Sequence, residues 1–424
     1  MRARPKRRAA RTAGALLAAS AAFGVAHAEE GGPVVELSGV ARVMGGAWDG
    51  LPLGPAAAAG DESPVFLRLL AGVRAAWPEG TALELELGFH EQTGRRAGPA
   101  SIDASSLDVT QAYLDLPVLS DVAVRLGRQH VVLGAKRFFA LRDGTNISRA
   151  YDGALLDYAG PKLRVRAFAI HPVRIGFDPF DDSTERALSV FGVYATYSRR
   201  PDEGVDLYAF ETDKNRSFYA QGVGGETRYT LGARFFDAHA PFDWDLEIAG
   251  QGGHFKDQDI AAWMAAGTAG YRFENARWAP RLGVRATIAS GDSDPADGAM
   301  ETFNPFFADI YLLGQASLIA PLNYAAVQPS VELRLSPNAS LLVRTDWFWR
   351  LETADAIYLG GPAPTPVGPS GHFGAIQFDV EYGVNVRPDV RLSFGYTHMA
   401  PGQALRAVGG EDTDAYFFGM KRSF

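Results

Sequence analysis

The sequence predicts an all-β fold, a single transmembrane antiparallel β-barrel of about 18 strands with short periplasmic turns and long extracellular loops. Three observations lead to this prediction. Polar and apolar residues alternate with a period of two in many segments, whereas helical periodicity is nearly absent. Short and long connections follow one another along the chain. After the N-terminus no run of 18 apolar residues occurs, so the sequence contains no transmembrane helix.

The N-terminal segment, residues 1–28, predicts a secretory signal peptide. Six Lys and Arg residues precede an apolar run from Ala13 to Ala26, and Ala26-His27-Ala28 is a small-residue cleavage pattern. The apolar run is too short to serve as a membrane anchor helix. We therefore expect residues 29–424 to form the barrel as one domain outside the cytoplasm.

Charge and composition narrow the class of protein. Since six of the 41 Lys and Arg residues lie in the signal segment, 35 remain against 49 Asp and Glu, which gives a net charge of −14. This balance does not favour a nucleic-acid partner. The chain has no cysteine, so an exported form must be stabilised without disulfides, and a closed strand ladder is one means. Composition alone also suits a large soluble β-protein.

The alternating segments have one apolar face and one charged face, as in residues 281–288 and 243–248. A soluble sandwich would bury the apolar face, whereas a membrane barrel turns it towards lipid and lines a wet lumen with the charges. The connections favour the barrel because eight short turns and nine longer loops join 18 strands and leave both termini on the short-turn side. The turns are predicted near residues 78–80, 119–121, 160–162, 200–202, 237–241, 274–276, 337–338 and 387–389, and the loops around 47–63, 93–106, 129–150, 173–186, 213–225, 254–259, 291–325, 352–370 and 400–411.

The last strand supports an outer-membrane location. Tyr416, Phe418, Met420 and Phe424 lie on one strand face, and this end resembles the assembly signal of bacterial outer-membrane barrels, although Arg422 interrupts the face. The barrel-assembly machinery and outer-membrane lipid are therefore expected partners. Aromatic residues near predicted strand ends fit interfacial girdles, although simple packing explains any single one equally well. They are Trp77, Trp244, Trp278, Trp347 and Trp349.

Arginines dominate the basic residues assigned to the lumen. If they dominate the narrowest part of the channel, the channel favours anions, because Arg stays charged and its planar guanidinium group suits carboxylates. The alternative is that these charges pair across strands and only keep the lumen wet. The lumen candidates carried forward are Arg74, Arg125, Arg166, Arg285 and Arg344.

A long basic loop follows the fifth predicted strand, within residues 127–159, and can hang at or inside the barrel mouth. It carries Lys136, Arg137, Arg142 and Arg149. Arg128 lies just before it. Strict alternation puts Arg128 on the apolar side with Val122, Val124 and Leu126, but a kink at Gly127 would turn it inward, and we assign it to the lumen on that basis.

Signatures of catalysis and metal binding are weak. No HExxH or GxSxG motif and no Cys nucleophile occurs, so we expect no enzyme and no cofactor, although an outer-membrane hydrolase could assemble its residues from separate strands. Asp292, Asp294 and Asp297 form a weak candidate for Ca²⁺ binding. The segment lacks a suitably spaced bidentate Glu, so a solvated loop is the preferred interpretation.

Several short motifs give the sequence a family resemblance. Gly127-Arg128-Gln129 is followed by Gly134, Asn146, Arg149 and Asp152-Gly153, a pattern that resembles the alginate export family of outer-membrane porins. The resemblance runs from about Leu107 to Phe424, and the first three strands match in pattern only. Further matches are Gln111-Ala112-Tyr113-Leu114-Asp115, Ala289-Ser290-Gly291-Asp292, Phe303-Asn304-Pro305 and Asp346-Trp347-Phe348-Trp349-Arg350.

The resemblance implies a monomeric 18-stranded barrel whose arginine-rich constriction passes an anionic uronate polysaccharide. Arg128 and Arg149 become candidate constriction residues, with Asn146 and Asp152 holding the loop. The expected function is passive passage of anionic solutes, including export of an alginate-like polysaccharide, since the sequence has no P-loop for nucleotide-driven work. The alternatives are a general or small-anion porin, a barrel hydrolase and a structural barrel with a plugged lumen.

Overall fold

The structure is a computed structural model that describes residues 32–49, 61–95, 98–309, 319–358, 371–407 and 409–424. Its strands form one sheet that closes on itself, and the predicted 18-stranded antiparallel barrel is confirmed. The predicted signal peptide and most of the predicted loop at 352–370 lie outside the described residues. No helix in the described ranges is both long and apolar enough to cross a membrane.

Eighteen of the twenty strands build the barrel wall, and the two-residue strands β8 and β15 belong to loops. The wall strands are β1 (Val34–Asp49), β2 (Val65–Ala76), β3 (Ala82–Thr93), β4 (Ser105–Leu119), β5 (Val122–Gln129), β6 (Tyr151–Ala159), β7 (Leu163–Arg174), β9 (Leu188–Arg200), β10 (Glu203–Tyr219), β11 (Gly222–Asp237), β12 (Phe242–Phe255), β13 (Gln258–Arg272), β14 (Arg281–Ala289), β16 (Tyr324–Ser336), β17 (Ala339–Trp349), β18 (Phe373–Arg387), β19 (Val390–Pro401) and β20 (Thr413–Ser423). The loop elements are β8 (Ser183–Thr184), β15 (Ala299–Met300) and a single helical turn, α1 (Gln403–Arg406).

The first and last strands close the ring. β1 pairs antiparallel with β20, from Val40 opposite Ser423 to Asp49 opposite Asp414. In the part of the chain that the structure describes, every wall strand is paired on both sides, which satisfies the backbone hydrogen bonds as a bilayer requires. Arg422 lies at the periplasmic rim, where its Nε donates to Asp389 Oδ2 at 2.9 Å. This contact explains how a charge is accommodated on the apolar face of the last strand.

Burial alternates along the strands in the sense expected for a membrane barrel. On β12, Leu246 and Ile248 are 53% and 59% exposed, whereas Glu247 between them is 4% exposed. The apolar side chains therefore face outward and the charged one faces the lumen, which is the reverse of a soluble sandwich.

Two of the predicted long loops are wrong. Residues 213–225 belong mostly to a β-hairpin, because β10 and β11 continue pairing to Tyr219 opposite Gly222, with a bulge between Lys214 and Ser217. Residues 254–259 form a tight turn, since β12 ends at Phe255 and β13 begins at Gln258. Glycines and charged residues suggested loops, but extended hairpins tolerate both where they rise beyond the membrane. The strand count is unaffected.

Candidate pore constriction

The loop between β5 and β6, residues 130–150, folds into the lumen. Phe138 and Phe139 are 3% and 0% exposed. The ring centroid of Phe139 lies 5.3 Å from that of Phe168 on β7 and 5.1 Å from that of Phe210 on β10. These wall residues face inward, so the loop buries its apolar side against the inner wall, and hydrophobic burial keeps it there. The predicted mouth loop therefore lies inside the barrel and occupies part of the lumen.

One end of this loop is tied to β1 and β2. Arg68 donates through Nε to Asn146 O and through Nη2 to Thr145 O, each at 2.7 Å, and its Nη1 pairs with the carboxylate of Asp143. Arg42 also donates to the loop at Asp143 and Thr145. Burial opposes ionisation of Asp143, but Arg68 and Arg42 together lower the pKa of its carboxyl group.

Asn146 holds the same end of the loop. Its Nδ2 lies within hydrogen-bond distance of three carbonyl oxygens, those of Leu67 (3.0 Å), Glu91 (3.2 Å) and Asp103 (2.7 Å). The side chain is buried, and backbone carbonyls buried without donors would be costly. The Asn146 side chain thus links the loop to β2, to β3 and to the segment before β4.

The other end of the loop reaches β12. Arg137 Nη1 lies 2.7 Å from Asp245 Oδ1 and 2.6 Å from Glu247 Oε2. In the closed ring β12 is half of the circumference away from β2, so the loop is bound to opposite walls. The sequence places Arg137 in a basic loop and the two acids on a strand, and no local pattern indicates that they pair. Alternation along β1 would have identified Arg42 as a lumen residue.

A second loop joins the first inside the lumen. In the segment between β14 and β16, Phe307 N donates to Phe138 O and Ala140 N donates to Phe307 O, both at 3.1 Å, which makes a short parallel bridge. The second loop is anchored by Arg228, whose Nη1 donates to Thr302 O at 3.1 Å. We call residues 130–150 and 290–309 together the lumen partition.

Most of the predicted lumen arginines are paired with carboxylates. Arg125 binds Asp115 in a two-point contact, with distances of 2.7 and 2.9 Å, and Arg74 lies 3.6 Å from Glu84. Arg344 on β17 contacts Asp379 at 2.8 Å and Glu381 at 3.0 Å. For these residues the alternative interpretation, cross-strand pairing that keeps the lumen wet, accounts for the contacts.

Arg149, Arg166 and Arg391 have no carboxylate within 4.0 Å in the described ranges. The Arg149 guanidinium lies 4.9 Å from the ring centroid of Phe307 in the lumen partition. Arg166 on β7 donates from Nη1 to Val132 O at 3.1 Å. These guanidinium groups retain N–H donors for a solute.

Two lumen cavities adjoin the partition. One, of about 230 Å³, is lined by Arg137, Asp245 and Arg285. The other, of about 290 Å³, is lined by Arg125, Arg166 and His130. Burial and the positive charge of Arg68 lower the pKa of His130 to about 4, so this imidazole is neutral at neutral pH. Arg125, Arg166 and Arg285 thus line space that a solute can occupy.

Arg128 and Asp152 lie on the outer face, contrary to the predicted assignment of both residues to the pore. Gly127 has φ +125°, but the alternation continues across it, because Arg125 contacts the lumen residue Asp115 and Gln129 is buried on the same side. The kink twists the strand without shifting its register. Arg128 pairs with Asp152 at 2.8 Å, and Asp152 Oδ2 accepts a hydrogen bond from Thr184 of the next loop at 2.7 Å. This pair fastens the loop at residues 175–187.

The three aspartates of the weak Ca²⁺ candidate do not converge on a common point. Asp292, Asp294 and Asp297 each accept a hydrogen bond from a backbone N–H two residues further on, as in ordinary Asx turns. Within the described ranges, the carboxylates that lie close enough to share an ion are instead Asp108, Asp181 and Asp182. Residues 293–298 are exposed, as the solvated-loop interpretation expects, whereas Asp292 is buried.

Comparison with solved structures identifies the fold. The chain is similar to Acinetobacter baumannii OccAB1 (14% identity, TM-score 0.64, covering 92% of this chain and 96% of that chain). It is also similar to a BenF-like porin from Pseudomonas fluorescens Pf-5 (10% identity, TM-score 0.64, 92% and 99%). A third similar structure is Pseudomonas aeruginosa OccK2 in complex with glucuronate (11% identity, TM-score 0.61, 92% and 98%). The fold is that of an outer-membrane porin.

The family follows from the sequence match. The profile described as alginate export matches residues 60–418, so the chain belongs to the alginate export family. The match begins before β2, so the family likeness extends further towards the N-terminus than the motifs indicated. A search of curated proteins finds no significant match. The protein is located in the outer membrane.

Proposed function

We propose that this barrel passes anionic solutes and that its native solute is a uronate polysaccharide. The observation that carries the proposal is an arginine of the lumen partition that no carboxylate neutralises: Arg149 lies against the ring of Phe307 and forms no ion pair in the described part of the chain. An Arg side chain stays charged at any physiological pH and offers a planar fork to a carboxylate. A passing anion would therefore be attracted at the narrowest level.

The negative total charge of the chain does not oppose this proposal. Selectivity depends on the charges that the solute meets at short range, because a low-dielectric wall strengthens local interactions. Most lumen carboxylates next to the partition are already engaged by arginines, as Asp245 is by Arg137 and Arg234. The uncompensated guanidinium groups then set the local potential.

The solute class is supported by two comparisons. The family is described as alginate export, and alginate is a polyuronate. One structure of similar fold is a complex with glucuronate, a single uronate unit. A linear uronate chain presents one carboxylate on each ring, so it can meet Arg149 and Arg166 in succession.

A second candidate function, a small-anion porin, is favoured by the lumen partition. It is tied to opposite walls by Arg68 and Arg137, and it lies against cavities of only a few hundred Å³. A partition held in this way would admit single sugars or small carboxylates more readily than a polymer.

Planar-bilayer recording tests both candidates. We expect a reversal potential that shows anion preference, and block of the current by oligouronates but not by neutral oligosaccharides of equal length. Cation preference would overturn the anion channel. Anion preference without oligouronate block would favour the small-anion porin over the polysaccharide channel.

A further inference from the structure

The periplasmic mouth contains a cavity that is separate from the lumen partition. It has a volume of about 540 Å³ and lies between the turns that follow β13, β16 and β18. Its lining combines an indole, guanidinium groups, amides and hydroxyls, the mixture that sugar-binding sites use. The lining residues used below are Trp278, Arg334, Asn338, Ser340, Asn385 and Arg391.

Trp278 is held in this cavity by a constrained turn. Trp278 and Ala279 have φ values of +67° and +41°, a region that residues with a side chain seldom adopt. Hydrogen bonds fix both residues: Arg334 N donates to Trp278 O at 2.7 Å, and Arg272 Nη1 donates to Ala279 O at 3.0 Å. A tryptophan that only anchors the barrel at the membrane interface needs no such conformation. Strained backbone held by its surroundings is typical of functional positions.

The indole is available to a ligand and lies in a positive environment. Trp278 is 42% exposed, and the Arg277 guanidinium lies 4.4 Å from its ring centroid. Aromatic side chains with exposed ring area stack against the apolar face of sugar rings, and the neighbouring cation suits a ring that carries a carboxylate.

Arg391 supplies the group that would bind that carboxylate. It lies on the same face of β19 as the buried lumen residue Thr397, and its Nη1 donates to Asn385 Oδ1 at 3.3 Å. No carboxylate lies within 4.0 Å of it in the described part of the chain, whereas Arg334 is paired with Glu274 and Arg387 with Asp389. Its guanidinium occupies space that a side chain on Gly383 would fill. Arg391 therefore has donors free for a two-point contact.

We propose that this cavity is a saccharide subsite that binds one uronate residue at the periplasmic mouth. Trp278 stacks on the sugar ring, Arg391 binds its carboxylate, and Asn338 and Ser340 meet its hydroxyl groups. The inference rests on the proposed function, since it assigns the same solute class to a site that an outgoing chain meets before it reaches the lumen partition.

Calorimetric titration of the purified barrel in detergent with a short oligouronate tests the subsite. We expect Trp278→Ala and Arg391→Gln each to weaken binding about tenfold, because each removes a stacking or charge-assisted contact. Trp278→Phe retains a ring and should bind close to wild type. The matched controls, Trp77→Ala in the turn after β2 and Arg387→Gln at the end of β18, should leave binding unchanged. Wild-type affinity in both Trp278→Ala and Arg391→Gln would overturn the proposal, as would an equal loss in the controls.

Bilayer recording separates this proposal from the channel function. Trp278→Ala and Arg391→Gln should keep anion preference and extracellular-side block while losing block by oligouronate added on the periplasmic side. Equal loss of block from both sides would overturn the assignment to the periplasmic mouth. Cation preference in the wild type would refute the channel proposal alone, because the calorimetric result does not depend on conduction.

Discussion

Arg137 in the in-folded loop forms an ion pair with Glu247 on β12, with Nη1 of the arginine 2.6 Å from Oε2 of the carboxylate. Glu247 also accepts a hydrogen bond from Tyr208 Oη at 2.7 Å, and it is buried. Because Arg68 ties the same loop to the opposite side of the ring, these contacts decide how much of the lumen stays open.

Removing the Arg137 tether should widen the channel. In Arg137→Ala, Glu247 loses a charged partner while it stays buried, which costs roughly 1–3 kcal/mol. This penalty shifts the loop about tenfold or more towards a detached state. We expect larger and noisier single-channel currents. Arg199→Ala, on an exposed periplasmic pair, is the control, and an unchanged conductance in Arg137→Ala would show that the aromatic contacts alone hold the loop.

Arg149 and Arg128 should respond differently to substitution, although the sequence suggested the same role for both. Arg149→Ala is expected to reduce anion preference several-fold, with Arg149→Lys retaining most of it, because the uncompensated charge acts at short range. Arg128→Ala should leave selectivity unchanged and expose the loop at 175–187 to protease, since it breaks the pair with Asp152. The reverse result would place Arg128 in the lumen.

The aromatic contacts of the lumen partition should contribute to its stability. Phe139→Ala removes a fully buried ring that contacts Phe168, Phe210 and Phe307, at a cost of about 3–5 kcal/mol. We expect faster hydrogen exchange in residues 130–150 and 290–309. The barrel itself should stay folded, so that unheated protein still migrates differently from heat-denatured protein on gels. Phe180→Ala, an exposed ring in another loop, is the control. Unchanged exchange would show that polar anchors suffice.

Docking of residues 290–309 on residues 350–358 should depend on pH. Burial raises the pKa of Asp292 to about 6, and it also raises the pKa of Asp355, whose Oδ2 accepts from Asp292 N at 3.0 Å. Because these carboxyls bind protons more tightly when docked, docking is stabilised at low pH, and this contribution is lost as pH rises through about 6. The protection factors of residues 290–309, which are their intrinsic exchange rates divided by the observed rates, should therefore rise when the pH is lowered from about 7.5 to about 5.

The matched variant for this pH dependence is Asp292→Asn, which keeps the shape and should flatten the change. Asp182 titrates in the same range because burial raises its pKa to about 6, but it lies in a different loop. Asp182→Asn should consequently leave the pH response of residues 290–309 intact. A response that vanished in Asp182→Asn and persisted in Asp292→Asn would refute the assignment.

The local rules of strand pairing made the wall predictable. Alternation along β12 and β14 identified lumen and lipid faces, and the turns gave the number of strands. The same rules wrongly predicted long loops at 213–225 and 254–259, where the structure has hairpins. Glycine and charged residues occur both in loops and in hairpins that extend into water. Arg128 was misplaced because a positive-φ glycine can twist a strand without changing its register, and sequence does not distinguish the two outcomes.

The sequence by itself determined the barrel, its strand count and the arginine-rich character of its lumen, because period-two patterning and turn chemistry act between near neighbours. Only the tertiary structure decided which arginines are neutralised and which remain uncompensated. The contacts of Arg137 with Glu247, of Arg68 with Asp143 and of Phe139 with Phe307 join residues far apart in the chain. Closure of the ring brings these residues together, and no local pattern specifies which loop folds inward.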